Sequence, residues 1–183
     1  MIGESTALAP PGVSSEVMVP NPYRVLRRRV DVARDPAQGI DEVVSLDLEP
    51  VHAALESPAP GQFMMVWAPG VGEVPISVSK LGSSTTGAST IGITIRSVGA
   101  TTTALCASVP GDPVGMRGPF GRGWAQIDPD RSTVVVAGGI GLAPVRLHLE
   151  SLLAARRANA ERKVVLIVGA RSPAEILYPE QLD

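Results

Sequence analysis

The sequence predicts an antiparallel β-barrel of about six strands, followed by a partial α/β domain with parallel strands. Between residues 23 and 117, about six short segments are separated by Gly, Pro or Asp, and those at 44–48 and 90–95 alternate apolar and polar positions, which is typical of half-buried antiparallel strands. From residue 132 onward, two continuous apolar runs flank a glycine-rich turn and an amphipathic helix, which indicates a βαβ unit buried on both faces. About six strands can close a small barrel, so we expect it to have no free edge.

The barrel domain is assigned to residues 23–125 and is predicted to contain one short helix. Its strands are expected at residues 24–32, 44–48, 63–67, 75–79, 91–95 and 113–117. Between Gly99 and Pro110, the run Ala100–Val109 predicts a helix that is capped by a threonine hydroxyl. Residues 1–22 contain several prolines and small polar residues without periodicity, and we expect them to form a mobile leader.

The remaining residues, 126–183, are predicted to form the first half of a parallel α/β domain. Its elements are a strand at 132–137, a glycine-rich turn at 138–144, a helix at 145–158 with Leu149, Leu152 and Leu153 on one apolar face, a strand at 163–168, and the start of another helix within 173–182. Two strands with one and a half helices cannot cover their own apolar faces. We therefore expect that the chain is truncated or that something else completes the sheet.

The composition argues against several classes of function. The chain carries 16 Lys and Arg against 18 Asp and Glu, a formal charge of −2, so it offers no field that collects nucleic acid or anionic lipid. Cys106 is the single cysteine, which excludes an internal disulfide and a four-thiolate metal site. His52 and His148 lack further ligands at suitable spacing, so no metal site is predicted. Without a signal segment or a run of ~20 apolar residues, we expect a cytoplasmic protein with no membrane partner.

The glycine-rich turn has the composition of a phosphate-binding turn. Gly138, Gly139 and Gly141 lack the Cβ atoms that would block a pyrophosphate, and the following helix offers unpaired N–H groups and the positive end of its dipole. Pro144 fits a first helical position because it has no N–H to lose. The second strand ends in Gly169-Ala-Arg171, without the acidic residue that holds a ribose diol in ordinary dinucleotide-binding domains. The alternative is a tight turn that binds nothing.

A second candidate site combines a barrel strand with the predicted short helix. In the run Val74-Pro-Ile-Ser-Val-Ser79, a serine hydroxyl could both donate to and accept from a redox-active ring nitrogen. In the run Val98-Gly-Ala-Thr-Thr102, a glycine at a helix start and threonine hydroxyls could form a second anion site. One barrel would then hold a ring and a phosphate. The alternatives are an edge strand that contains a proline and an ordinary threonine N-cap.

The order of these motifs closely resembles the ferredoxin reductase superfamily. The chain carries, in sequence, Pro75-Ile-Ser77, Gly99-x-x-Thr102, Gly111-Asp-x-Val-x-x-Arg-Gly-Pro-x-Gly121, a strand, and Gly138-Gly-x-Gly-x-x-Pro144. The segments Pro22-Tyr-Arg-Val, Pro60-Gly-Gln-Phe, Arg117-Gly-Pro-Phe-Gly-Arg-Gly-Trp and Gly169-Ala-Arg-Ser-Pro-Ala-Glu look most like the FAD/NAD(P)-binding (gamma) subunits of sulfhydrogenase-type hydrogenases and the B subunits of anaerobic sulfite reductases. The electron-transfer subunit of dihydroorotate dehydrogenase is similar to both.

The resemblance implies roles for individual residues. Pro75, Ile76 and Ser77 would lie along the isoalloxazine ring, with Ser77 as the catalytic residue nearest the nitrogen that exchanges hydride. Gly99 and Thr102 would contact the flavin pyrophosphate. The nicotinamide-nucleotide turn would comprise Gly138, Gly139, Gly141, Ala143 and Pro144, while Gly169, Ala170 and Arg171 would border the ribose and adenine. Many members have an arginine directly before the proline of the flavin motif, where this chain has Val74 preceded by Glu73. Arg96 and Arg117 are the candidate replacements.

The resemblance also implies an electron-transfer function. NAD(P)H would pass a hydride to bound FAD, with FMN less favoured, and the flavin would release single electrons to an iron–sulfur partner of the hydrogenase or sulfite reductase type. Relatives continue beyond the position of Asp183 with further strands and a [2Fe–2S] segment, so the cluster is expected in a missing segment or in the partner. One alternative is a non-catalytic docking or assembly module that retains the flavin barrel. Another is an oxygen-using flavin reductase that acts alone.

Overall fold

The structure is a computed structural model, and it describes residues 19–125, 128, 131–158, 161 and 163–182. Residues 1–18 of the predicted leader lie outside the described residues, as do residues 126 and 127, where the second domain is predicted to begin. Within the described part of the chain, no helix is long and apolar enough to cross a membrane.

The predicted six-stranded antiparallel barrel is confirmed. Its strands are β1 (Asn21–Val32), β2 (Val43–Pro50), β3 (Phe63–Ala68), β4 (Gly72–Ser83), β5 (Ser89–Arg96) and β6 (Pro113–Phe120). They follow one another around the barrel in the order β1-β2-β5-β4-β3-β6, and β6 pairs again with β1. Helix α1 (Ala100–Ala107) lies between β5 and β6 in the chain. Closure of the sheet pairs every strand on both sides, so the barrel has no open edge.

Strand β3 is apolar on both faces: the side chains of one face fill the barrel, and those of the other face lie outside it. Met64 and Val66 are fully buried and Ala68 nearly so, and all three belong to the barrel core. Their neighbours Phe63 and Met65 are only partly buried, and Trp67 is exposed. Because both faces of this strand are apolar, alternation alone could not identify the buried one. The outward face is therefore available to pack against something other than the barrel.

The predicted parallel βαβ unit follows the barrel, but the prediction that it is buried on both faces is wrong, since one face of its sheet is exposed at Val134, Val136, Val165 and Ile167. Strand β7 (Thr133–Gly138) pairs in parallel with β8 (Val164–Gly169), and helix α2 (Leu142–Ala158) connects them. The helix begins two residues earlier than Pro144, so the prediction of this proline at the first helical position is wrong. Proline is nevertheless tolerated, because the first four N–H groups of a helix have no intrahelical acceptor.

The buried face of α2 also differs from the predicted one. Leu152 is buried as expected, but Leu153 is exposed, and the buried positions include Leu142 and Leu147. The helix packs against β4 as well as against its own sheet, and Leu147 belongs to the barrel core. Contact with the barrel, which lies outside the βαβ unit, thus selects the buried face.

The segment after β8 forms two short 3₁₀ turns, Pro173–Glu175 and Pro179–Gln181, instead of the start of a helix. Pro179 lacks the N–H that a continuing helix would need, and Tyr178 before it has a left-handed backbone with φ of 52°. Leu177 and Tyr178 are buried in a second core, together with Val32, Ile40 and Val43 of the barrel side and Ala137 and Leu142 of the α/β unit. This segment therefore joins the barrel to the βαβ unit.

Candidate functional site

The outer face of β3, β4 and β6 carries an aromatic surface with a free hydroxyl beside it. Ser77 of β4 lies opposite Phe63 of β3, and the rings of Phe63 and Phe120 are 5.8 Å apart. The Ser77 hydroxyl bonds no described residue. Gly121 has a φ of +79°, and a Cβ there would lie 3.1 Å from the Phe63 ring, so glycine allows the chain after β6 to approach this ring. The surface offers a planar ring an apolar support and a hydrogen-bonding partner.

The other residues of the predicted flavin motif lie along the same strand. Pro75 is exposed, whereas Ile76 is partly buried and packs against the barrel core. Alternation along β4 thus directs Pro75 and Ser77 outward, and Ile76 toward the interior.

An ion pair crosses this surface from β6 to β4. Arg117 donates from Nε to Glu73 Oε1 at 2.8 Å, and from Nη2 to the second oxygen of the same carboxylate. These hydrogen bonds hold the pKa of Glu73 below its ordinary value. The Arg117 guanidinium also lies 5.8 Å from the centre of the Phe120 ring. The charge of Arg117 is therefore already compensated by Glu73, which makes it a poor replacement for the missing phosphate-binding arginine.

The N-terminus of α1 lies beside the first residue of β4, five positions before Ser77. Gly99 is the N-cap, and the Thr102 hydroxyl accepts from the N–H groups of Gly99 at 2.9 Å and Val98 at 3.1 Å. The N-cap is thus Gly99 and not the predicted threonine, and the hydroxyl of Thr102, the third helical residue, is occupied by the N–H groups that precede the helix. A Cβ on Gly72, the first residue of β4, would lie 2.9 Å from Thr101 Oγ1, so the strand starts against this helix. At about 3.3 Å per residue, the α1 end of the strand and Ser77 are about 16 Å apart.

The glycine turn connects β7 to α2 at the carboxyl edge of the parallel sheet. Gly138 is paired with Gly169, so the turn and the residues after β8 leave the sheet side by side. Added Cβ atoms on Gly138 and Gly141 would meet no atom within 4 Å, and Gly139 has a φ of +50°. In open α/β sheets, ligands bind outside the carboxyl ends of the strands. This edge has both the space and the conformation that a phosphate-binding turn requires.

The remaining predicted residues of the nucleotide site divide into two kinds. Ala143 is buried and Pro144 partly buried in the first turn of α2, where they position the turn rather than face outward. Ala170 and Arg171 are exposed after the end of β8. The Arg171 guanidinium already donates to Glu175, with 2.7 Å between Nη2 and Oε2. Glu175 is buried, and hydrogen bonding from Arg171 is the main cause that lowers its pKa.

Arg96 lies beside the glycine turn, a position that sequence reasoning did not assign to it. Its Nη2 lies 3.4 Å from the place that a Cβ of Gly139 would occupy. Its Nε is buried and has no hydrogen-bond partner among the described residues. The sequence identified Arg96 only as a candidate for the flavin phosphate, because the contact with Gly139 joins two different domains.

The two candidate sites are held against each other by packing of α2 on the barrel. Arg146 of α2 donates from Nη1 to the carbonyl oxygen of Ser79 at 3.3 Å, two residues after Ser77. Trp124 donates its backbone N–H to Pro60 O at 2.8 Å, and its indole Nε1 lies 3.5 Å from Pro144 O. The helix that begins at the glycine turn is thus seated beside the strand that carries Ser77.

The residues fit a flavin and a nicotinamide nucleotide better than a metal. The free Ser77 hydroxyl, the Phe63 and Phe120 surface, the open glycines and the unpaired Nε of Arg96 are features that a planar ring and a phosphate would use. No group of three or more His, Cys, Asp or Glu side chains among the described residues could hold a metal ion.

Known proteins are similar to this chain in sequence and in fold. The model of the oxidoreductase NAD-binding domain family matches residues 135–183. The chain is 34% identical over 124 residues to the probable dihydroorotate dehydrogenase B (NAD(+)) electron transfer subunit of Archaeoglobus fulgidus, covering 68% of this chain and 46% of that protein. It therefore spans about half the length of this curated relative.

Solved structures share the fold. The ferredoxin-NADP+ reductase of Plasmodium falciparum superposes with a TM-score of 0.66 at 19% identity, covering 89% of this chain and 63% of the other. The FAD/NAD-binding domain of nitric oxide dioxygenase from Vibrio cholerae gives a TM-score of 0.68 at 18% identity, covering 89% of this chain and 68% of the other. At these identities, the likeness shows the common architecture alone.

Proposed function

We propose that this chain, which has the ferredoxin reductase-like FAD/NAD-binding fold and has dihydroorotate dehydrogenase electron-transfer subunits among its homologues, carries electrons from NAD(P)H through a bound flavin to an iron–sulfur partner. One observation carries the proposal. The helix that starts at the glycine turn packs on β4 beside Ser77, through the bond from Arg146 to the Ser79 carbonyl. A nucleotide at the turn and a ring on the outer face of β4 would therefore be neighbours, as hydride transfer requires.

The flavin would be held along β4, between Ser77 and the N-terminus of α1. Pro75 and Ser77 would border the ring, with Ile76 supporting the strand from the core side, and Phe63 and Phe120 would exclude water from part of it. The phosphates would meet Gly99 and the first N–H groups of α1, which have no intrahelical acceptor. Thr102 would act by fixing this helix start rather than by direct contact. Between the two candidate forms, we propose FAD.

When bound, the flavin supplies the chemistry that links a two-electron donor to a one-electron acceptor. The chain itself would bind the flavin, orient its ring and form hydrogen bonds with it. Ser77, the proposed catalytic residue, has a hydroxyl free to donate to or accept from the ring nitrogen that changes protonation.

The nicotinamide nucleotide would lie across the carboxyl edge of β7 and β8. Gly138, Gly139 and Gly141 would allow the pyrophosphate to approach the backbone, and Ala143 and Pro144 would fix the start of α2. The residues after β8, Gly169, Ala170 and Arg171, would border the ribose and adenine.

The electron acceptor would be an iron–sulfur protein. The sequence motifs favour a partner of the hydrogenase or sulfite reductase type, and the curated relatives add a dihydroorotate dehydrogenase as a second candidate. Cys106 is the single cysteine of these 183 residues, so a four-thiolate [2Fe–2S] cluster would belong to another segment of the polypeptide or to the partner.

Equilibrium titration with FAD and with FMN, followed by anaerobic reduction with NADH and NADPH in the full-length protein, tests the proposal. We expect stoichiometric FAD binding and flavin bleaching by a reduced nicotinamide. A protein that takes up neither flavin would overturn it. Flavin binding without reduction by either nucleotide would favour a docking module instead, and rapid NADH oxidation by oxygen without a partner would favour a stand-alone flavin reductase.

A further inference from the structure

We propose that Trp124 is a positioning residue for hydride transfer, and that its indole sets the spacing between the ring surface of the barrel and the glycine turn. The indole lies between the backbone that leads into β3 and the first turns of α2, the helix that begins at the glycine turn. The inference rests on the proposed function, because it names a residue that aligns the two sites of that function.

On the barrel side, Trp124 lies directly against the backbone before β3. A Cβ on Gly61 would lie 2.7 Å from Cδ1 and 2.8 Å from Nε1 of the indole, so a larger residue there would displace the ring. The Trp124 N–H donates to Pro60 O at 2.8 Å, which fixes the same segment through the backbone. The loop that ends at Trp124 starts at Gly121, where a Cβ would lie 3.1 Å from the Phe63 ring. The indole is therefore fixed to the chain that carries the ring surface.

On the other side, the indole packs along the start of α2. Its Nε1 lies 3.5 Å from the carbonyl oxygen of Pro144, the third residue of the helix, and its ring centre lies 6.3 Å from that of His148, one turn later. Pro144 follows Gly141 by three positions, so this contact is next to the turn that we propose for the pyrophosphate. A tryptophan side chain is flat and has only two rotatable bonds, so it keeps a fixed separation between the surfaces that it contacts.

Helix α2 meets the barrel at a second point nearby, through a more flexible side chain. Arg146 donates from Nη1 to Ser79 O of β4 at 3.3 Å. The Val78 N–H donates to Gln62 O at 3.2 Å, which keeps the start of β3 beside this part of β4. Arg146 thus ties the helix to β4, while Trp124 sets its distance from β3. Because a displacement of about 1 Å can slow a reaction about 100-fold, loss of the indole should misalign the two ligands and leave both binding sites in place.

The exposure of Trp124 allows this role to be separated from folding and from partner binding. The residue is 51% exposed, so its removal should open no closed cavity in the core. Exposed tryptophans are also common in contacts between proteins. Reduction of the flavin by a nicotinamide nucleotide needs no protein partner, so a role in partner binding alone would leave the rate of that step unchanged.

The test is anaerobic stopped-flow reduction of the FAD-loaded full-length protein at increasing concentrations of NADH or NADPH, whichever reduces the wild type faster. Trp124→Ala should lower the limiting rate about 10- to 100-fold. Its affinities for FAD and for ADP-ribose, which contains the pyrophosphate but no nicotinamide, should stay within about twofold of wild type in calorimetry. Trp124→Phe, which keeps a flat ring against Gly61, should retain most of the rate. The matched control is Leu153→Ala, an exposed position of α2 nine residues after Pro144, which should behave like the wild type.

Other results overturn the inference. An unchanged limiting rate in Trp124→Ala would show that the indole does not align the ligands, and a parallel loss of FAD or ADP-ribose affinity would place Trp124 in a binding site. If Trp124→Ala loses its cooperative thermal transition, Trp124→Leu decides: a lower limiting rate than in Trp124→Phe at equal affinities supports the inference, and equal rates contradict it. A wild-type protein that binds both ligands but is reduced by neither nucleotide would remove the proposed function together with the inference, which distinguishes the two failures.

Discussion

Ser77 is the residue whose proposed role is easiest to separate from folding. Its side chain is half-buried beside Phe63, and its hydroxyl bonds no described residue. Removing this hydroxyl therefore costs the folded chain no hydrogen bond. A large change in the function of Ser77→Ala would therefore point to a ligand that the wild-type hydroxyl contacts.

We expect Ser77→Ala to retain flavin binding and to slow flavin reduction by NADH about 10- to 100-fold, because one hydrogen bond to the reacting ring is lost. Stopped-flow absorbance on the full-length protein measures the rate. Ser83→Ala, at the exposed far end of the same strand, is the control and should behave like the wild type. Equal rates in Ser77→Ala and Ser83→Ala would remove Ser77 from the catalytic step.

The Glu73–Arg117 pair makes a pH-dependent contribution to stability. Arg117 holds the pKa of Glu73 below its ordinary value of 4.5. A carboxyl whose pKa is lower in the folded state stabilises that state above its unfolded pKa, and this stabilisation disappears as the pH falls through the folded pKa. The pair should therefore contribute fully at neutral pH and lose its contribution in acid, below pH 4.5.

Glu73→Gln should accordingly destabilise the protein at pH 7 and become indistinguishable from the wild type in strong acid, where Glu73 is protonated in both states. Urea unfolding of both proteins across pH 3 to 7 measures the difference. Glu56→Gln, at an exposed loop position, should show no such pH-dependent difference. A Glu73→Gln effect that persists undiminished at pH 3 would contradict an electrostatic origin.

At the scale of single elements, the glycine turn combines two kinds of glycine. Gly139 needs glycine for its backbone, with φ of +50° and Arg96 close by. Gly141 has no left-handed backbone and no atom within 4 Å of an added Cβ. A side chain at Gly141 would therefore clash with no protein atom. It would fill the space that we propose for the pyrophosphate.

Gly141→Val should leave the thermal transition and flavin affinity close to wild-type values, while ADP-ribose binding falls at least about tenfold because the branched side chain occupies the ligand space. Calorimetry and thermal denaturation are measured on the same preparations. Loss of both ligands together would indicate a folding defect. Unchanged ADP-ribose affinity would argue that the nucleotide does not lie on this turn.

At the scale of the whole molecule, the segment after β8 holds the barrel and the βαβ unit together. Tyr178 OH lies 2.6 Å from Thr94 Oγ1 of the barrel, and the guanidinium groups of Arg29 and Arg146 lie 5.4 and 4.9 Å from the centre of the Tyr178 ring. Leu177 is buried in the core that both units share. The relative placement of the two candidate sites thus depends on residues that belong to neither.

Leu177→Ala should lower the free energy of unfolding by about 2–5 kcal/mol, the usual cost of removing a fully buried leucine side chain. Leu182→Ala, a few residues later and exposed, should cost well under that amount. Urea denaturation followed by circular dichroism gives both values. Similar small effects in the two variants would mean that this segment does not stabilise the junction.

The local elements of this protein follow from its sequence, because each depends on neighbouring residues. Short apolar segments between turn residues indicate six strands, and continuous apolar runs around a glycine turn indicate the parallel unit. The positions of Ser77, Gly99 and Gly138 on those elements follow in the same way. The sequence does not indicate which face of β3 is buried, since Phe63 and Met65 are as apolar as the buried Met64 and Val66.

Contacts between distant residues were decided only by the tertiary structure. Arg117 and Glu73 are 44 positions apart, and only closure of the barrel across β3 brings them together. Arg96 reaches Gly139 because α2 docks on the barrel, and the last turns become irregular because Leu177 and Tyr178 are buried between two units. Local sequence patterns thus indicate which elements form and which residues they carry. Packing decided which of those residues meet, because side-chain contacts across a fold depend on the closure of the sheet and the seating of a helix, which no local pattern encodes.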